Sequence, residues 1–195
     1  MDAVGLAEWL PCIALAMALA ACAGLRAWLP LLLTGVLARA GVLDLGQAYG
    51  FLASNQALAA FGLATVVELV ADKVPALDHA LDAVSTVLRP AAGTLLAASV
   101  LWPVSDPLAA LVLGLAIGAP AALVPHGLKA GLRAASTALT AGIANPVLSL
   151  IEDVAAVVMF IVAVVAPLLI ASLLLLAGVL VVGLLARRRP RVRTA

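Results

Sequence analysis

Six stretches of this chain are apolar for about as long as a bilayer's hydrocarbon core is thick, and nothing else in it restricts the fold as strongly. They run at about residues 10–38, 57–74, 83–102, 107–124, 147–166 and 167–186. A helix needs roughly 20 apolar residues to cross a membrane. The expected fold is therefore an all-α integral membrane protein of about six transmembrane helices. Composition leaves no room for a separate aqueous domain: 66% of the 195 residues are hydrophobic, 11% are charged, and the mean hydropathy is +1.24. Residues 1–195 read as a single membrane domain, with 187–195 as a basic cytoplasmic tail.

Two of the segments look interrupted. The first is too long for one straight crossing and carries Gly24, Arg26 and Pro30, so a break or re-entry is expected there, at a place where protein or water satisfies the freed backbone. The stretch from His126 to Pro146 mixes Lys129, Arg133, Ser136, Thr137, Thr140 and Asn145 with Leu128, Leu132, Leu139 and Ile143 at helical spacing. It reads as a separate amphipathic or half-inserted helix after the fourth span. Ala23-Gly24-Leu25-Arg26-Ala27 recurs identically as Ala130-Gly131-Leu132-Arg133-Ala134. The recurrence suggests an inverted repeat of three plus three spans, with halves 1–104 and 105–186, a plan used by secondary transporters. Chance in an Ala/Leu-rich chain is the competing explanation.

Five of the eleven Lys and Arg residues lie in Arg187 to Arg193, while every carboxylate lies before Val154. Lys and Arg stay on the cytoplasmic side, so both termini are expected in the cytoplasm. The arginine tail reads as a topology anchor and anionic-lipid contact, and no nucleic-acid partner is expected. Cys12 and Cys22 lie inside the first apolar run, where a thiol packs as a small hydrophobe. Leu19-Ala20-Ala21-Cys22 has the look of a lipobox, but Asp2 and Glu8 replace the positive region of a signal peptide.

The chemistry must reside in the few charges within or beside apolar runs. Glu68 and Asp72 share a helix face at i, i+4. A carboxyl at the depth of Glu68 costs on the order of 3 kcal/mol unless it meets water, a cation or a partner. The pair is read either as a proton or ligand site or as an ion pair between helices. Asp78 and Asp82 repeat the spacing beyond Pro75, with His79 between them. Four carboxylates so close are a candidate oxygen site for a divalent cation, although solvated loop residues explain Asp78 and His79 equally. No other cofactor is implied. Arg89-Pro90 interrupts the third span, and Arg89 requires an anion, either Glu68, Asp72 or a substrate phosphate or carboxylate. Glu152 and Asp153 point about 100° apart on a helix, so one is expected to face the interior. Asn145, before Pro146, is placed to cap the fifth span, at a helix N-terminus that also attracts anions.

These motifs together resemble a family of bacterial membrane proteins with no assigned activity, domain of unknown function 4126. The carriers are Ala23-Gly-Leu-Arg26-Ala, Glu68-Leu-Val-Ala-Asp72-Lys73-Val-Pro75, Asp78-His-Ala-Leu-Asp82, Leu88-Arg89-Pro90-Ala-Ala-Gly93, Ser136 to Pro146, and Glu152-Asp153. The resemblance implies a multi-span membrane protein and selects no substrate. Three functions remain open. The leading one is a small transporter or flippase-like protein, in which Glu68 or Asp72 binds a proton or cation while Arg26, Arg89 or Arg133 contacts an anionic group. The second is a lipid-phosphate enzyme, and the third a noncatalytic scaffold. The expected partners are the lipid bilayer, a small-molecule, ion or lipid substrate, and further copies of the chain. The expected location is the bacterial inner membrane.

Overall fold

The computed structural model describes the backbone of residues 3–73 and 75–187, and the side chains of residues 9–73 and 84–184. The described residues form helices joined by short turns, without strands: α1 (Ala3–Leu25), α2 (Trp28–Arg39), a 3-10 turn (Gln47–Ala53), α3 (Asn55–Ala71), α4 (Pro75–Ser99), α5 (Pro107–Thr140), α6 (Asn145–Val165) and α7 (Pro167–Arg187). Three are long and apolar enough to cross a bilayer, Pro107–Thr140, Asn145–Val165 and Pro167–Leu184. The pair Gln47–Ala53 and Asn55–Ala71, bent by 59°, makes a fourth if taken as one broken span, and Trp9–Leu25 and Trp28–Arg39 are shorter apolar helices.

α1 is the axis of the bundle and packs against α2, α4, α5, α6 and α7. Ala18 to Ala23 are buried on every face, as expected of a helix that is apolar all round and surrounded by others. Small residues make this possible. A Cβ built on Gly24 would stand 2.1 Å from the Ala122 carbonyl oxygen, and one on Gly118 would stand 2.3 Å from that of Gly93. The backbones of α1 and α5, and of α4 and α5, therefore approach where no side chain intervenes, the usual means of close packing between membrane helices. Outward faces are aliphatic: Leu139, Ile143 and Val165 are each more than three-quarters exposed.

The first long segment does break where Gly24, Arg26 and Pro30 are found, between Leu25 and Trp28. The second expected interruption is absent. α5 continues through Pro120, Pro125 and the second Ala-Gly-Leu-Arg-Ala copy to Thr140, and the chain turns only at Ala141 and Gly142, both with positive φ. The polar stretch is amphipathic, but inside out with respect to a surface helix: Lys129 and Arg133 are buried, while Leu128 and Leu132 face outward. Its charges are matched within the protein, so the segment has no need of the interface. Pro90 likewise lies within a continuous α4.

Candidate functional site

In a low-dielectric interior a charge is retained only with a partner, so the partners found by each ionisable side chain define the site. α3 delivers Asp72 at its C-cap. Its Oδ2 accepts from Arg26 Nη1, from Lys129 Nζ at 3.3 Å and from Arg133 Nη2 at 3.4 Å. These three bases come from two elements: Arg26 from the gap after α1, and Lys129 and Arg133 from one face of α5 at i, i+4. Glu152, in the second turn of α6, accepts from Arg133 Nε at 3.1 Å and Nη2 at 3.0 Å, and pairs with Lys129 Nζ at 3.1 Å. Asp153 binds Arg26 Nη2 and Lys73 Nζ, the latter at 2.9 Å. Ser149, one turn earlier on α6, accepts from Arg26 Nη2 at 3.3 Å. Arg26, Asp72, Lys129, Arg133 and Glu152 are all at least nine-tenths buried.

This arrangement corrects several expectations. Both Glu152 and Asp153 join the network, because bases reach α6 from two sides: Lys129 and Arg133 on one, Arg26 and Lys73 on the other. Among the described residues Glu68 makes no ion pair. Its two oxygens accept from the backbone N–H groups of Ala27 at 3.0 Å and Trp28 at 3.2 Å. No side chain of its own caps α2, so Glu68 satisfies these orphaned amides from α3 and places a negative charge at the positive end of the helix dipole. Arg89 bonds neither Glu68 nor Asp72. Its Nη1 lies 2.6 Å from His126 Nδ1, and since a guanidinium only donates, that ring nitrogen presents its lone pair. Asn145 does not cap α6. Its Nδ2 donates to Thr137 Oγ1 at 3.2 Å, and the Ala144 N–H that begins the helix goes to Thr140 Oγ1 at 3.3 Å.

The network's members beyond those singled out from sequence are Lys129, Lys73 and Ser149. A signal existed for Lys129, which shares a helix face with Arg133. Ser149 stands at i−3 and i−4 from Glu152 and Asp153, but a serine in a membrane helix is too common to stand out. Asp78, His79 and Asp82 lie on α4, with side chains outside the described residues. Among the described residues no group of three or more His, Cys, Asp or Glu is placed to hold a metal ion. One wall of the network meets an apolar cavity of about 460 Å³ between α5, α6 and α7, to which Lys129 and Glu152 contribute.

Chemically, among the described residues the site is an exchange of hydrogen bonds in which Asp72, Glu152 and Asp153 are each shared by at least two bases, and Arg26 and Arg133 each bridge two carboxylates. Protonation of one acid, or insertion of another anion, redistributes bonds without exposing a bare charge. No curated protein and no solved structure matches the chain. A family model described as a domain of unknown function, DUF4126, matches residues 13–187. That match takes in every residue of the network, and the chain belongs to this family.

Proposed function

We propose that the protein is a small multi-span membrane transporter or flippase-like carrier, with the network of Arg26, Asp72, Lys129, Arg133, Glu152 and Asp153 as its translocation site. On this reading α1 with α2, and each of α3 to α7, supplies a crossing, six in all, and the two Ala-Gly-Leu-Arg-Ala copies are the relics of an inverted repeat. The observation that carries it is the convergence of three bases on one carboxylate within an apolar bundle. Buried ion pairs seldom stabilise better than apolar packing of equal volume. Ionisable groups within spans characteristically mark ion and substrate paths. Asp72 and Glu152 are the carboxylates that exchange a proton or cation, and Arg26 and Arg133 hold the anionic group. Arg89, backed by His126, borders the site.

At 19.5 kDa one chain offers little surface for alternating access, so the working unit is a homodimer or larger. It resides in the bacterial inner membrane with both termini cytoplasmic, bound to lipid and not to nucleic acid. Purified protein reconstituted in liposomes tests the reading by two readouts in one preparation. These are transbilayer movement of fluorescent phospholipids and proton movement under an imposed pH gradient. The wild type is expected to exceed protein-free vesicles in at least one, and Asp72→Asn to lower that rate at least about tenfold. Wild-type vesicles indistinguishable from protein-free ones in both overturn the proposal and leave the network as architecture.

A further inference from the structure

An apolar cavity borders the charge network on one side. The 460 Å³ cavity between α5, α6 and α7 is walled by side chains such as Leu25, Pro125, Met159 and Leu173, and among its lining residues Lys129 and Glu152 alone carry charge. A second cavity of about 770 Å³, lined by Ile117, Gly178 and Gly183 among others, borders it at Val124 and Leu174. Together they form an apolar trough along α7. Leu128, Leu132 and Leu173 on its lip are more than half exposed, so in a membrane the trough opens sideways into hydrocarbon.

The charged end has a definite preference. The Lys129 ammonium has three N–H donors. Two are directed at Asp72 and Glu152, at 3.3 and 3.1 Å, and the third has no acceptor among the described residues. Both Glu152 oxygens already accept from Arg133. Of the two charged groups at this wall the unmatched donor belongs to the cation, which favours an anionic oxygen.

We infer that the trough binds an anionic lipid, its chain lying along α7 and an oxygen of its headgroup meeting Lys129. The inference deepens the carrier reading by naming its substrate class and rests on that reading for its purpose, while the binding itself rests on the trough. Thermal unfolding of the detergent-purified chain tests it, with phosphatidylglycerol, phosphatidylcholine and inorganic phosphate as probes. Phosphatidylglycerol is expected to raise the midpoint saturably, by about 5–10 °C near a hundredfold excess over Kd.

Ala177→Phe fills the trough without touching a charge, and is expected to abolish that shift while leaving the lipid-free midpoint in place. Lys129→Gln is expected to abolish it as well. Equal shifts from the two phospholipids, an equal shift from inorganic phosphate alone, or a shift that survives in Ala177→Phe overturns the inference. A lipid shift with neither transbilayer lipid movement nor proton movement retires the carrier and leaves the site standing. Movement that persists in Ala177→Phe after the shift is lost overturns the substrate assignment.

Discussion

The same five residues, Ala-Gly-Leu-Arg-Ala, occupy two different structures in this molecule. In the first copy α1 ends at Leu25, Arg26 and Ala27 lie outside regular helix, and the Gly24 backbone is pressed against Ala122. In the second the helix runs through without interruption, and Gly131 has nothing within 4 Å of where a Cβ would stand. Yet both arginines reach Asp72. Part of the difference lies downstream. A proline ring at position 30 collides with the carbonyl of residue 26 in a continuing helix and offers that carbonyl no N–H, whereas no proline follows the second copy until Pro146. Proline is not sufficient, since Pro90, Pro120 and Pro125 sit inside continuous helices. What the first copy adds is Glu68, whose carboxylate receives the amides that a new helix start leaves exposed. Local sequence proposes a break, and a partner from another helix makes it affordable in hydrocarbon.

This contrast can be broken at the arginines first. Arg26 links two carboxylates and is fully buried, so Arg26→Gln is expected to cost up to about 3 kcal/mol, the low end of the range for removing one partner of a buried pair, because Asp72 keeps Lys129 and Arg133 while Asp153 keeps only the half-exposed Lys73. Arg133→Gln leaves Glu152 with Lys129 and Asp72 with two bases, and should cost distinctly less. Thermal or denaturant unfolding in detergent ranks the two, and equal losses would mean that the copies are equivalent after all.

The glycines come next. Gly24→Ala drives a methyl group into the Ala122 carbonyl and is expected to cost about 1–3 kcal/mol or more by overpacking. Glu68→Gln keeps one acceptor but removes the charge from the α2 N-terminus, for a loss of about 1 kcal/mol. Faster hydrogen exchange at the Ala27 and Trp28 amides is its specific signature, and unchanged exchange would remove Glu68 from its capping role. Smallest and opposite in sign, Gly131→Ala places a better helix former in open space and should stabilise by about 0.5–1 kcal/mol. A loss there would show that the second copy also packs closely, for example against another copy of the chain.

The helices themselves were legible because an apolar run of span length permits little else, and the break near Arg26 because Gly24 and Pro30 mark it. The site's membership was half legible for a related reason: Asp72, Arg26, Arg133, Glu152 and Asp153 stand out as charges in or beside apolar sequence. Pairing was not legible. Arg89 with His126, Glu68 with two backbone amides, and Lys73 with Asp153 depend on how separate helices are arranged in space, which periodicity along one helix does not encode. The polar stretch from His126 to Pro146 is evident in the sequence, which reads it as a separate amphipathic or half-inserted helix. Periodicity gives the existence of a polar stripe and not the direction it faces, and here Lys129 and Arg133 face inward.

Because the network's acids and bases are distributed over α3, α5, α6 and the end of α1, no single helix carries its own neutralising set. Biogenesis therefore meets charges that are unmatched until late. When α3 is made, the network's bases near Asp72 are Arg26 and the neighbouring Lys73, since Lys129 and Arg133 come more than fifty residues later in the sequence. α5 in turn brings two buried bases, one turn apart, before Glu152 has been made. Isolated helices of this kind insert poorly into hydrocarbon. The buried charges on these helices are matched only when the helices dock against one another. The circuit of charges is complete only once Glu152 and Asp153 are in place.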